Sequence, residues 1–154
     1  MLGPAISGTL KTPDLMAEAG LIYHTDWVHD DQPVPIRVDN ESGNRLVSVP
    51  YSFELNDVPV FRGHYEADYF VEICKAQFDQ LYAEGEHSGR VMCIALHPFL
   101  IGQPHRIRYL DEILGYIMGH AGVWQTTADE IAEYYLANCY DDEREYTRQL
   151  NASE

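Results

Sequence analysis

The sequence predicts an α/β fold, on three observations. Short runs of branched and aromatic residues alternate with stretches whose apolar positions recur three or four apart. Val91 to Leu96 is a continuous apolar run, the pattern of a strand covered on both faces, as in parallel sheets wrapped by helices. The helical stretches are closed by glycines or opened by capping residues. Such alternation goes with parallel strands and right-handed crossovers. With 154 residues and 45% apolar side chains the chain is long enough for one domain with a core. That domain is expected over residues 1-140, with a polar, solvated tail over 141-154.

Thr12-Pro13-Asp14 predicts a helix entry, because a hydroxyl can cap the first turn and proline sits where no amide partner is needed; Gly20 closes it. LIYHTDW follows as a short strand whose far end breaks into the acidic, proline-bearing HDDQPVP. Arg37 to Asn44 is polar and turn-rich, and LVSVPYSFELND reads as a loop-edge strand broken by Pro50 and ended by Asn56-Asp57. From Tyr65 to Ala83, Phe70, Ile73, Cys74, Phe78, Leu81 and Tyr82 mark one helical face, ended by Gly85 and Gly89. After the 91 to 96 strand, Ile107, Leu110, Ile113, Leu114 and Ile117 mark another helix, stopping near Gly119 and Gly122. Thr127 with Glu130 is a capping-box signature for a last helix, DEIAEYYLANCY. Three strands are too few to close a barrel and the sequence opens on a helix, so an incomplete fold is expected.

Ten Lys and Arg against twenty-five Asp and Glu give a formal charge of -15, which repels phosphate backbones and anionic lipid. Nucleic acid and membrane are therefore not expected partners. Cys74, Cys93 and Cys139 form no CxxC pair, so neither a disulfide framework nor a zinc knuckle is indicated, and a reducing cytoplasm is the expected location.

Reactive groups in parallel α/β folds gather at the carboxyl ends of strands. Two strand ends here are chemically loaded: LIYHTDW ends in Asp26-Trp27, and VMCIAL ends in His97-Pro98. A carboxylate beside His97 would fix its tautomer and make it a proton donor; otherwise His97 only caps a strand while Pro98 turns the chain. Trp27 lines a pocket or packs in the core. The cluster HTDWVHDD holds imidazoles and carboxylates of the type that bind zinc, but on a strand His24 and Asp26 share a face while His29 falls beyond it. Asn56-Asp57 reads equally as a turn, and Pro50-Tyr51 as pocket wall or core. His105-Arg106 either binds an anionic group or starts a helix.

Taken in order, DWVHDDQP, VPYSFELND, LHPFLIGQPHR and VWQTTADEIAEYY resemble the C-terminal half of the polysaccharide deacetylase family, in its cytosolic allantoinase-like and peptidoglycan-deacetylase-like branch. The resemblance runs from about Gly3 to Leu136. It implies the C-terminal portion of a distorted (β/α) barrel, incomplete in this chain. It also implies an enzyme that uses a divalent metal, most often zinc, to hydrolyse an amide or related carbon–nitrogen bond in a small molecule or acetylated sugar. His97, in the LHP motif, matches the general acid that protonates the leaving nitrogen. Asp26 and Trp27 match the aspartate and tryptophan that support that histidine and line the pocket. Asp30, Asp31, Asn56 and Asp57 match subfamily motifs near the site, and Pro50, Tyr51 and Pro98 are taken with them as pocket residues.

The family's paired aspartates, one the base and one a metal ligand, and its His-x-x-x-His ligand pair precede this region and are not in this sequence. His24 and His29 are five apart and lie in the wrong motif to replace them. The expectation is therefore that this chain binds no metal alone and has little or no activity alone. Its implied partner is an N-terminal half of the barrel, if separately encoded. The alternative is a non-catalytic subunit that associates through exposed barrel edges, with a homo-oligomer as the simplest product.

Overall fold

The computed structural model describes Leu2 to Ala152 and divides into two compact units, Met1–Pro50 with Thr126–Glu154, and Tyr51–Gln125. In the first unit, α1 spans Thr12–Glu18, with Pro13 in its first turn. It stops because Gly20 adopts φ +82, a left-handed conformation cheap only for glycine, which lets Gly20 N reach Ala17 O and Leu21 N reach Met16 O at 3.0 Å each. Strands β1 (Tyr23–His24), β2 (Val34–Ile36) and β3 (Leu46–Ser48) form a sheet of order β1-β3-β2. Alternation along β3 sets the layers. Leu46 packs with Ile36, Met16 and Ala17 on the α1 side, while Val47 and Val49 pack with Ala132, Tyr135 and Tyr140 of α5 (Ala128–Asn138) and α6 (Tyr140–Ala152). The capping box of α5 is complete, with Thr127 and Glu130 each satisfying the other's amide.

The second unit is built on α2 (Asp57–Arg62), α3 (Ala67–Glu84) and α4 (Ile107–Met118). The apolar stripe expected on α3 is buried: Phe70, Cys74, Phe78 and Leu81 all face inward. Phe70, Val71 and Cys74 meet Leu55, Val60, Ile101 and Ile113 in one core. Each large side chain so enclosed contributes about 1.5–3 kcal/mol. Burial also pushes the Cys74 thiol up to about 12, so it behaves as a small hydrophobe.

Three features differ from the sequence expectation. The sheet is mixed, since β1 pairs with β3 in parallel but β2 pairs with β3 antiparallel. The chain crosses from β1 to β3 through β2 instead of through a helix. The VPI strand was hidden by Pro35, a residue that a sheet accepts on an edge strand, where β2 lies. Third, Val91 to Leu96 is not a two-sided buried strand. It is extended, but among the described residues it makes a single parallel bridge, Asn56 with Ala95, and only Ala95 of the run is fully buried. An apolar run becomes a strand only if a ladder partner lies beside it.

Candidate active site

That single bridge positions the site of the second unit. Ala95 N donates to Leu55 O at 2.9 Å and Asp57 N to Ala95 O at 3.1 Å, so the 55 to 57 turn and the 95 to 97 segment are locked together. Ser52 Oγ holds the turn by accepting from Leu55 N at 2.9 Å. Asn56 then caps α2, its Oδ1 accepting from Val58 N at 2.9 Å, which leaves Asp57 as the first helical residue, fully enclosed.

A buried carboxylate must be compensated by donors. Asp57 has three: His97 N reaches Oδ2 at 2.9 Å, Ile101 N reaches Oδ2 at 3.3 Å, and His97 Nδ1 lies 2.7 Å from Oδ1. Because the carboxylate only accepts, the ring nitrogen beside it carries the proton, and the imidazole is held in one tautomer with Nε2 turned away from Asp57. The His97 side chain is 35% exposed while that of Asp57 is closed off, so the pair has a sealed end and an open one. Phe99 stands edge-on to the imidazole at 5.4 Å between ring centroids. The turn below is tight: Leu100 N and Ile101 N both reach His97 O, and a Cβ on Gly102 would fall 2.3 Å from Pro98 O. Only glycine fits there without moving the turn that aims His97.

The structure thus gives His97 a carboxylate, and the residue at Nδ1 is Asp57; the sequence assigns that support to Asp26, which belongs to the first unit. In the sequence Asp57 reads as a turn or pocket residue, since an acid in the first turn of a helix is ordinary. Its one legible signal is its place between Asn56, an N-cap residue type, and the apolar Val58 to Phe61.

In the first unit, Asp26 Oδ1 accepts from Gly3 N, and Asp26 N donates to His24 Nδ1 at 3.1 Å. The neutral His24 ring therefore carries its proton on Nε2, a buried atom with no partner among the described residues. Burial lowers the His24 pKa below 6.5, against the pull of the Asp26 charge. His29 Nε2 lies 2.7 Å from Ser48 Oγ, and burial lowers its pKa too, against Asp30 and Asp31. Trp27 is half exposed and stands edge-on to His24 at 4.8 Å. Asp30 Oδ1 accepts from Asp31 N at 2.8 Å, so these two acids shape their own loop. Pro13, Met16, His24, Asp26, Trp27 and Arg37 line an open depression of this unit. Pro50 is buried and Tyr51 half-buried, with Tyr51 Oη accepting from Asn56 Nδ2 at 3.1 Å.

The residues present do not fit a zinc site: among the described residues no three His, Cys, Asp or Glu side chains come together to hold a metal ion. Nor, among them, is any helix long and apolar enough to cross a membrane.

No family model matches the chain. A Schizosaccharomyces pombe protein named provisionally as a polysaccharide deacetylase is 36% identical over 114 residues, covering 72% of this chain and 35% of that protein. The crystal structure of Puue allantoinase is similar with a TM-score of 0.77 and 32% identity, over 86% of this chain and 44% of that one. A structure from Pseudomonas aeruginosa PAO1, also provisionally named a polysaccharide deacetylase, has a TM-score of 0.76 and 27% identity, over 84% of this chain and 44% of that one. One from Mycobacterium smegmatis, similarly named, has the same TM-score and identity, over 89% and 49%. The chain thus spans about a third of the curated relative and under half of each solved structure. Over that span its sequence and its α/β fold are similar to those of proteins named polysaccharide deacetylases and of an allantoinase.

Proposed function

We propose that this chain supplies the proton-donating part of a hydrolase acting on non-peptide carbon–nitrogen bonds, of the deacetylase or allantoinase-like kind. The observation that carries this is the Asp57–His97 pair. A sealed carboxylate holds Nδ1–H at 2.7 Å and leaves Nε2 on the open side, the geometry of an imidazole that hands a proton to a leaving nitrogen. Asp57 orients the ring, and Gly102 permits the turn that presents it. Hydrolysis further needs an activated water and a base. Divalent metal would supply the first in the complete enzyme. Since the described residues assemble no ligand set, metal and base are assigned to protein outside them, with an N-terminal half of the same fold as the proposed partner.

The test is complementation. Mixed with the N-terminal half of a relative and zinc, the chain should gain hydrolysis of an acetylated sugar or of allantoin, and His97→Ala should abolish the gain while still associating. Failure to gain activity with an associating, family-like partner would overturn the proposal.

A second reading has its own observation. Phe53, Phe99 and Trp124 of the second unit are each more than half exposed. Apolar groups so presented fit a subunit that associates with another copy or a different protein without chemistry. Sedimentation decides it: a stable monomer that binds no apolar dye contradicts such a surface.

A further inference from the structure

A chain of hydrogen bonds aims one more proton in the second unit. Asn56 Oδ1 is committed to Val58 N at 2.9 Å as the cap of α2, and this commitment settles which way the amide is turned. The amide nitrogen that remains donates to Tyr51 Oη at 3.1 Å. A phenol has one proton to give and lone pairs to receive. With a lone pair engaged by Asn56, the O–H bond of Tyr51 points elsewhere, and among the described residues no acceptor takes it. Tyr51 is half-buried, so the group remains reachable. Burial, aided by Cys93 and Asp57, pushes its pKa above 10.0 against the Asn56 bond, so the hydroxyl keeps its proton at neutral pH. The charge of Asp57 acts on this phenol as well as holding the His97 ring.

We propose that the Tyr51 hydroxyl is a second donor of the pocket, binding the carbonyl oxygen of an amide whose nitrogen is served by His97. This rests on the reading of His97 as the proton donor to an amide. Two donors fixed by one loop would select a substrate with an oxygen acceptor beside the scissile nitrogen. A site built to bond an oxygen discriminates against an analogue that cannot accept well, because its buried donor is then left unpaired. Sulfur is such a poor acceptor. The pocket should therefore prefer amides to thioamides, with Tyr51 as the cause.

The full chain is titrated with acetamide and with thioacetamide, following the imidazole resonances of His97 by NMR. The wild type should bind acetamide more tightly and report it at His97. Tyr51→Phe should weaken acetamide binding about three- to tenfold and leave thioacetamide within about twofold, with the His97 Nδ1–H signal retained. Loss of a merely structural hydroxyl would weaken both probes alike. Asn56→Ala, which releases the phenol without removing it, should reduce the oxygen-over-sulfur preference and serves if the first variant does not fold. An unchanged preference in either folded variant overturns the role of Tyr51 and leaves that of His97 standing. Acetamide that leaves the His97 resonances of the wild type unmoved overturns both.

Discussion

In the second unit Asp57 is fully enclosed and receives three hydrogen bonds, one from the His97 ring, forty residues away in the chain. In the first unit Asp26 receives one from Gly3 N, and His24, two residues before it, receives one from the amide of Asp26. The same two residue types therefore end in different states. Where the carboxylate faces the imidazole directly, the ring is given a tautomer and an outward nitrogen. Where backbone amides intervene, the ring is enclosed with an unsatisfied Nε2 and burial disfavours its charge. Closeness in sequence does not pair a His with an Asp; a shared hydrogen bond does.

The comparison breaks most severely at Asp57. Asp57→Ala leaves the His97 amide and ring donor without an acceptor and Ile101 N with only its bond to His97 O, and should cost about 3 kcal/mol or more in a urea titration. Asp26→Ala removes one acceptor and should cost clearly less. Equal losses would mean that the three-donor arrangement has no special weight.

Gly102→Ala comes next. Its methyl would press on Pro98 O, and the backbone has to move, so a loss of about 1–3 kcal/mol is expected together with a shifted or broadened His97 Nδ1–H resonance. An unshifted resonance would show that the turn does not aim the ring.

The smallest effect separates the two histidine environments by pH. His24 and His29 have folded pKa values below 6.5, so above that value both rings are neutral in folded and unfolded chain alike, and their full contribution to stability is present. As pH falls below 6.5 the unfolded chain takes up protons that the folded chain resists, and stability falls until the lowered folded values are passed. Midpoints measured at several pH values should therefore drop on the acid side. His24→Gln should flatten that drop by up to one proton's worth of slope. A slope unchanged in His24→Gln would show that its burial carries no linkage.

Much of this was legible beforehand. The face of α3 from Phe70 to Leu81, the glycine stop at Gly20 and the reciprocal cap of Thr127 and Glu130 all follow from neighbours within a turn or two of each other. His97 could be singled out because LHP closes an apolar run and resembles a known motif. β2 could not be seen, since Pro35 is admissible only at an edge, and which strand lies at the edge is a property of the assembled sheet. The 91 to 96 segment misled for the same reason: its composition asks for cover on two faces, while pairing depends on what lies alongside.

The sequence by itself determined the helices and their ends, the acidic character of the chain and the imidazole on which its proposed chemistry turns, because periodicity, caps and charge are read over a few residues. Only the tertiary structure decided that Asp57 is the carboxylate at that imidazole, that the sheet is mixed, and that Tyr51 has its proton turned away from Asn56. The first two outcomes depend on contacts between distant segments, and the third on how the cap of α2 commits the Asn56 amide, conditions that composition and periodicity do not express.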